Sequence, residues 1–369
     1  MTSEFVHLHN HSDYSLLDGA QKIDQLVNTI DDLNMDAVAL TEHGNMFSVL
    51  PYYKQAKKAG IKPIIGCEIY VAVGSRFEKK TRSDGGWGNN HLILLAQNFT
   101  GYKNLMKLVT AGYLEGFYYR PRIDMDLLRE YSEGLICMSA CLKGVVPEKM
   151  LKGDYEGARK EALLFSEIFQ DRYYLEIQNH GIPEEEQNLK NMKKLSQDLN
   201  LPLVCTNDAH YAKKEHWEAH DIHICLGTGK ERSDPNRLRY ATPEFYFKTQ
   251  DEMHKLFKEF PGAIENTRKI ADSIDITLPI GESHLPNFPI PKEANTSDPD
   301  EYLRSITESG AQNLYGEITP EIKKRMSHEL NVIKNMGFAG YFLITADFVE
   351  YAKKSSIPVG PGRGSAAGS

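Results

Sequence analysis

Short apolar segments alternate with amphipathic segments along the first part of the chain. Apolar residues at three- and four-residue spacing from Ile23 to Leu33 predict an amphipathic helix, and similar spacing predicts helices at 155–169 and 184–199. The apolar segments have the length and composition of buried strands. They lie at 5–9, 37–41, 63–71, 91–97, 134–139, 173–178 and 202–206. This order of strands and helices predicts an α/β domain.

Two architectures fit seven strands separated by helices, a closed parallel barrel or a doubly wound open sheet. The spacing of apolar residues does not decide between them. Polar residues follow nearly every predicted strand. A barrel gathers the loops of all its strands on one face, whereas an open sheet concentrates its site at one switch point. The polar pattern therefore favours the barrel.

The pattern changes after residue 285. A proline-rich segment, 286–291, is followed by a polar segment, 292–300, which together are typical of an extended connection. Helical spacing then returns at 302–314, 321–336 and 341–354. We therefore predict two domains, residues 1–285 and 286–369.

Composition narrows the class of protein. No apolar run is long enough to cross a bilayer, and the first residues are polar and acidic, so we expect a cytoplasmic protein with no membrane partner. The five cysteines include no CxxC pair and are interpreted as reduced thiols. A net charge of −8 is unlike a free-standing nucleic-acid binder. A phosphate-bearing partner would need local positive charge, which bound divalent cations can supply.

The strongest chemical signal is the segment His7-Leu8-His9-Asn10-His11. On an extended strand its three imidazoles point to one face and Leu8 points to the other. One buried histidine is easily satisfied within a core, but three unpaired imidazoles on one buried face are costly. Because imidazole is a common metal ligand, the segment predicts a metal site.

Further ligand types lie at or near the ends of the predicted strands. They are Asp18, His43, Glu68, His91, Cys141, Asp208 and His210. Taken singly each has another interpretation, since Asp18 could cap a helix and Cys141 could be a small buried apolar residue. Together they place imidazole, carboxylate and thiol on one rim, which suits zinc, manganese or iron. Several such metals can activate one water for phosphoester hydrolysis without a protein nucleophile.

Two other clusters have an open interpretation. His216, His220 and His223 share a helical face, but they lack the HExxH order of a zinc protease, which favours a helix packing beneath the site. Arg120 and Arg122 lie beside two tyrosines, a combination that suits contacts with DNA phosphates and bases. A solvated surface loop explains the arginines equally well.

The segments 7–15, 41–45, 206–210 and 358–369 together resemble the alpha subunits of bacterial DNA polymerase III, the C-family replicative polymerases. The first part resembles their PHP (polymerase and histidinol phosphatase) domain. Residues 337–344 and the terminal glycine-serine stretch resemble the start of their palm domain. The resemblance implies a distorted seven-stranded (β/α)7 TIM-like barrel followed by a partial, mostly helical segment of the palm.

The resemblance also implies which residues hold up to three divalent ions, with zinc, manganese or iron as candidates. Every position of the family's ligand pattern is filled by a ligand type. The pattern assigns one ion to His9, His11, Glu68 and Asp208, a second to Asp18, His43 and His210, and a third to His91 and Cys141 with Glu68 shared. His7 falls outside the pattern, so we expect it to orient a ligand instead.

Active members of the family use such a site as a metal-dependent 3′ to 5′ exonuclease that removes misincorporated nucleotides. The implied partners are the primer 3′ end and replisome subunits such as a sliding clamp or a proofreading subunit. Gly364 and Ser365 match a motif near the triphosphate of the incoming nucleotide. The family's catalytic aspartates come later than Ser369, so we expect no DNA synthesis by this chain alone.

Two alternatives to a nuclease stay open at this point. The first is a non-catalytic scaffold that needs metal for folding and docks a separate proofreading subunit. The second is a small-molecule phosphatase of the histidinol-phosphate type. The phosphatase shares the metal site but leaves the polymerase-like end of the chain unexplained.

Overall fold

The computed structural model describes residues 3–81, 88–282 and 285–360. The chain divides into two compact units, Met1–Leu278 and Pro279–Ser369. The division falls a few residues before the predicted domain boundary at 285. Within the described residues, no helix has both the length and the apolar character that crossing a bilayer demands.

Seven strands of the larger unit belong to one mixed sheet. They are β1 Ala37–Leu40, β2 Lys62–Ala72, β3 Asn89–Ala96, β4 Arg122–Ile123, β5 Leu135–Met138, β6 Tyr173–Ile177 and β7 Leu203–Cys205. Their order is β1-β2-β3-β5-β6-β7, and β4 pairs with β2. Neighbours run parallel except at β3, which is antiparallel to both β2 and β5. The expectation of an all-parallel sheet is therefore wrong at β3.

The first predicted strand, 5–9, closes the sheet without forming a regular strand itself. Isolated bridges pair His7 with Val38 of β1 and Asn10 with Ala209, which follows β7. The backbone N–H of His11 donates to the carbonyl of Ala209 at 2.9 Å. This segment thus joins the two edges of the sheet, and the predicted distorted TIM-like barrel is confirmed.

Helices flank the strands along the larger unit. They are α1 Ile23–Asp32, α2 Val49–Lys58, α3 Phe99–Leu114, α4 Met125–Glu130, α5 Val145–Leu151, α6 Tyr155–Phe169, α7 Pro183–Leu199, α8 Trp217–Thr228, α9 Gln250–Phe257 and α10 Glu265–Ser273. The predicted stripe of α1 is buried, including Leu26, Val27 and Ile30. That burial removes apolar surface from water and holds the helix against the barrel.

Local polar contacts fix where several helices begin. The Asn98 side chain accepts from the backbone N–H of Gly101 at 3.0 Å at the start of α3. A side chain at Gly101 has no room, because its Cβ would lie 1.7 Å from the carbonyl oxygen of Gly134. Thr249 and Glu252 form a capping box at the start of α9. These contacts set the positions of helices that pack on the barrel.

The longer elements of the smaller unit are helices in the part of it that the structure describes. Its helices are α11 Pro299–Tyr315, α12 Pro320–Asn335 and α13 Ala339–Lys354. Leu303, Leu330, Ala339 and Leu343 form a small core of their own. The three helical segments predicted from the spacing of apolar residues match these helices closely.

Candidate metal centre

The first group of predicted ligands is brought together by residues distant in sequence. Nε2 of His9 lies 3.3 Å from Oδ1 of Asp208, and Nε2 of His11 lies 3.1 Å from the same oxygen. Oε2 of Glu68 lies 3.4 Å from Nε2 of His11 and 3.8 Å from that of His9. The extended segment, β2 and the turn after β7 thus meet at one point.

The second group lies beside the first. Nε2 of His43 is 3.1 Å from Oδ1 of Asp18, and Nε2 of His210 is 4.0 Å from Oδ2 of Asp18. The ring of His11 stacks between those of His43 and His210, with centroid distances of 3.9 and 4.5 Å. One nitrogen from each of these three rings lies within 4.8 Å of the others.

The third group completes the nine positions. Nδ1 of His91 contacts Oε1 of Glu68, and Sγ of Cys141 lies 3.8 Å from the same nitrogen. These three side chains also have ligand atoms close enough together to hold an ion. Glu68 links all three groups, since its other oxygen, Oε2, faces His9, His11 and His43.

Within the described part of the chain, several buried atoms of the predicted ligands make no hydrogen bond of proper geometry and face one another instead. They are Nε2 of His9, Nε2 of His11, Oδ1 of Asp18, Nδ1 of His43, Oε2 of Glu68 and Oδ1 of Asp208. A buried polar atom without a partner costs about 1–3 kcal/mol, so a protein does not collect several of them without a reason. Cations at this point would satisfy these atoms, and the donor set fits them.

Charges within the cluster shift the pKa values of two of its acidic groups, Glu68 and Cys141, in opposite directions. Burial alone would raise the pKa of Glu68, but His91 and His43 hold it well below its usual value. Burial raises the pKa of Cys141 well above the usual range, and the carboxylates of Glu68 and Asp208 raise it further. The thiol can become a thiolate ligand only beside added positive charge, which a bound cation supplies.

Backbone geometry aims the ligands at the centre. Leu8 is fully buried on the opposite face, as the alternation predicts. Asp208 has φ of 45° and Ala140, which precedes Cys141, has φ of 64°. This left-handed conformation is uncommon outside glycine and turns the chain sharply after β7 and β5. Both turns direct ligand side chains into the barrel mouth.

Comparison with known proteins assigns the chain to a family. The PHP domain model matches residues 7–180, and the model described as the bacterial DNA polymerase III alpha NTPase domain matches residues 301–369. The DNA polymerase III subunit alpha of Borreliella burgdorferi is 51% identical over 100% of this chain. That of Treponema pallidum is 46% identical over 99% of it. The chain belongs to the DNA polymerase III alpha subunit family.

The chain spans about a third of the length of these alpha subunits, 32% of the first and 31% of the second. Among solved structures, the histidinol phosphate phosphatase of Lactococcus lactis, complexed with zinc, L-histidinol and phosphate, is 13% identical with a TM-score of 0.29. That match covers 62% of this chain and 95% of the phosphatase.

Neighbouring side chains and carbonyls orient the imidazoles of the predicted ligands. Nδ1–H of His9 donates to Glu176 at 2.7 Å, and Nδ1–H of His210 donates to the carbonyl of Asp208 at 2.8 Å. Nδ1–H of His11 donates to Ser15 at 3.0 Å. For His9 and His11 this contact leaves Nε2 facing the centre, and a neutral imidazole binds a cation through such a nitrogen.

Glu176 is a functional residue that the sequence reasoning missed. Its carboxylate is buried in β6 and accepts from Thr206 at 2.5 Å and from Gln178 at 3.1 Å, as well as from His9. A glutamate within an otherwise apolar strand is the signal that could have identified it. Burial would lower the pKa of His9, but Asp208 and Glu176 raise it well above its usual value.

A second supporting network lies behind His11. The hydroxyl of Ser15 donates to Oε2 of Glu42 at 2.5 Å, and Ser12 also donates to this carboxylate. Burial raises the pKa of Glu42 above its usual value. The signal for Glu42 is its place directly before His43 in the segment 41–45. Glu42 and Ser15 therefore position the imidazole of His11.

The helix α8 packs beneath the second ligand group, as the sequence favoured. Nε2–H of His220 donates to the backbone carbonyl of Asp18 at 2.8 Å, while His216 is exposed. Tyr240, which the sequence reasoning missed, contacts Nε2 of His210 at 2.8 Å and Oδ2 of Asp18 at 3.3 Å. His220 and Tyr240 therefore hold the carboxylate and imidazole of the second group.

The predicted orienting role of His7 has no support from its contacts. Nε2–H of His7 donates to the carbonyl of Lys248 at 2.9 Å. The ring packs edge-on against Phe5 and Phe247, with centroid distances of 4.7 and 4.9 Å. Burial lowers its pKa to about 4. The imidazole of His7 is therefore neutral and packs between residues 5–9 and the segment that precedes α9.

Arg122 does not have the exposed position that a DNA contact requires. Its side chain is 1% exposed. The guanidinium donates to the carbonyls of Gly116 at 3.1 Å, Glu78 at 3.0 Å and Arg76 at 3.3 Å. Arg122 thus satisfies backbone carbonyls beside β4, and the phosphate-contact interpretation is wrong for it. A single-residue pattern cannot distinguish a buried guanidinium from an exposed one.

Arg120 has a different position from Arg122. It lines a cavity of about 1020 Å³ that also contains Asp18, His43 and His91. Its guanidinium lies over the ring of Tyr70 at 5.7 Å from the centroid. The predicted nucleotide contacts of Gly364 and Ser365 lie outside the described residues.

Proposed function

We propose that the PHP domain of this chain hydrolyses phosphodiester bonds at DNA 3′ ends, as a metal-dependent 3′ to 5′ exonuclease. The observation that carries the proposal is the convergence around Glu68 of buried ligand atoms that, among the described residues, have no hydrogen bond of proper geometry. The membership of the chain in a family of replicative polymerases supports DNA as the substrate.

We propose the predicted ligand sets for this site. His9, His11, Glu68 and Asp208 would hold one ion, Asp18, His43 and His210 a second, and Glu68, His91 and Cys141 a third. Divalent cations bound there lower the pKa of water and offset the charge of a phosphoryl group. Zinc, manganese and iron are the metals that this mixture of imidazole, carboxylate and thiol suits.

The protein's own groups position the reaction. Glu176 and Ser15 keep Nε2 of His9 and His11 directed at the centre, so the ligands need no rearrangement before an ion binds. Arg120 lies on the cavity wall and is placed to contact a phosphate oxygen of the strand. The cavity opens beside His43 and His91, which gives a strand end access to the buried centre.

The whole protein, by analogy with its relatives, would be a DNA-directed DNA polymerase of the bacterial cytoplasm. DNA and replisome subunits, such as a sliding clamp or a proofreading subunit, would be its partners. In that setting a hydrolytic PHP domain would remove misincorporated nucleotides. Gly364 and Ser365 would contact the incoming triphosphate.

A primer assay tests the exonuclease proposal. The purified chain, supplied with manganese or zinc, is mixed with a 5′-labelled primer carrying a mismatched 3′ nucleotide. We expect stepwise shortening from the 3′ end that stops on addition of a chelator and returns with excess metal. A primer that keeps its length with each metal contradicts the proposal. An inactive variant of the chain, purified in parallel and tested in the same assay, excludes cleavage by a trace contaminating nuclease.

A further inference from the structure

Three aromatic side chains form a row along the cavity that opens over the metal centre. Phe47, Tyr113 and Phe117 line it and are 62%, 38% and 48% exposed. The ring centroids of Phe47 and Tyr113 are 6.2 Å apart, and those of Tyr113 and Phe117 are 6.1 Å apart with an interplanar angle of 27°. We call these three residues the aromatic wall.

The aromatic wall is built on fixed elements of the larger unit. Phe47 precedes α2, Tyr113 lies in the last turn of α3, and Phe117 follows four residues later. Helix α3 is anchored in the core by Leu105 and Leu108. The three aromatic rings line the cavity although the core anchors α3. Their side chains are therefore exposed at a fixed position and do not serve to pack the core. A continuous exposed apolar surface marks a binding site.

The position of the wall indicates what it binds. The same cavity contains Asp18, His43 and His91 of the metal centre, and Arg120 and Lys143 line it as well. Its volume of about 1020 Å³ is at the upper end of the range of small-molecule pockets, roughly 300–1,000 Å³. The cavity therefore combines a hydrolytic site, aromatic faces and positive charge with more room than one phosphate ester needs.

We propose that the aromatic wall stacks the unpaired nucleobases next to a DNA 3′ end whose terminal phosphodiester lies at the metal centre. This inference rests on the proposed function and names how its substrate is held. Stacking requires only the flat face of a base, so the wall accepts every base sequence. Arg120 and Lys143 match the negative charge of the backbone.

The wall also accounts for a preference among DNA ends. Bases within a duplex are stacked on each other, so a paired end must open before its bases reach the wall. That opening costs least at a mismatch. A mismatched 3′ end therefore binds more tightly than a paired one, and the PHP domain selects errors without reading base identity.

Photo-crosslinking and affinity measurements test the wall independently of cleavage. The probe is a single-stranded oligonucleotide with 5-iododeoxyuridine next to its last nucleotide and a phosphorothioate at the terminal linkage, added to the manganese-loaded chain. We expect adducts on Phe47, Tyr113 or Phe117. Phe47→Ala and Phe117→Ala should each lower the affinity roughly tenfold, and Phe47→Tyr should retain it.

The matched control is Phe99→Ala. Phe99 is 38% exposed and lies at the start of the same helix, α3, outside the cavity lining among the described residues. Its replacement should leave the affinity unchanged. Circular dichroism of each variant shows whether the fold is retained, and Phe47→Tyr keeps the test valid if an alanine variant unfolds.

The outcomes separate the wall from the proposed function. Adducts away from the wall, or alanine variants that bind the probe as tightly as the unmodified chain, would overturn the inference. So would an equal affinity for a probe with abasic 3′ nucleotides, which would indicate that the wall meets a protein instead. Stacking at the wall with no cleavage of any primer would leave the wall in place and contradict only the exonuclease.

Discussion

Replacing Glu68 with glutamine is expected to remove the ions of the two ligand groups that contain it, the first and the third, and to abolish hydrolysis of DNA 3′ ends. Oε2 of Glu68 lies 3.4 Å from Nε2 of His11, and Oε1 contacts Nδ1 of His91, so one carboxylate serves both of these groups. An amide loses the negative charge and one acceptor oxygen. We expect activity to fall by at least about a hundredfold, since even groups that only orient ligands are worth 10–100-fold.

The measurements for this variant are metal content after dialysis and the primer assay. The unfolding temperature should rise less on adding metal to Glu68→Gln than to the unmodified chain, because an ion stabilises only the form that binds it. Glu167→Gln, at an exposed position on α6, is the matched control and should behave as the unmodified chain. Full metal content in Glu68→Gln would contradict the shared-ligand assignment.

Replacing Asp208 with asparagine is expected to abolish hydrolysis while the fold and part of the metal remain. Oδ1 of Asp208 lies 3.3 and 3.1 Å from the Nε2 atoms of His9 and His11, but it is not part of the group formed by Glu68, His91 and Cys141. The variant should therefore lose about one ion per chain and at least about a hundredfold in rate. It separates a catalytic metal from a structural one.

Circular dichroism and the primer assay decide whether the metal at Asp208 is catalytic or structural. A folded Asp208→Asn chain without nuclease activity supports catalysis, whereas unfolding of the variant supports the scaffold alternative, in which metal is needed for folding. Asp171→Asn, at an exposed position, is the matched control. Retention of full activity by folded Asp208→Asn would remove Asp208 from the proposed ligand set.

Strong local patterns allowed most of the fold to be predicted. The apolar segment 63–71 forms most of β2, and the segment 155–169 forms α6. Both were predictable because the burial of apolar side chains determines their patterns. Segment 5–9 pairs only through isolated bridges, and the two-residue strand Arg122–Ile123 is too short to leave a pattern. The reversal of β3 was missed because antiparallel strands need no crossover helix, and apolar spacing does not encode direction.

The sequence could predict the residues whose own side chains are metal ligands, but not the residues that orient those ligands. The alternation of residues 7–11 and the ends of the predicted strands identified the candidate ligands. Their division into three sets, and the exclusion of His7, came from the family resemblance. The residues that orient the ligands depend on partners far along the chain: Glu176 meets His9 across 167 positions, and Tyr240 meets Asp18 across 222. Such pairings are produced by barrel closure and have no local signal.

Element analysis of the purified chain tests the central claim most directly. The chain is loaded with manganese, zinc or iron, dialysed against metal-free buffer, and measured by inductively coupled plasma mass spectrometry. The ligand geometry predicts two to three tightly held divalent ions per chain, and Glu68→Gln should lose those of the first and third ligand groups together. Less than one ion per folded chain with every metal would contradict a multinuclear centre, and with it the hydrolytic function proposed for this domain.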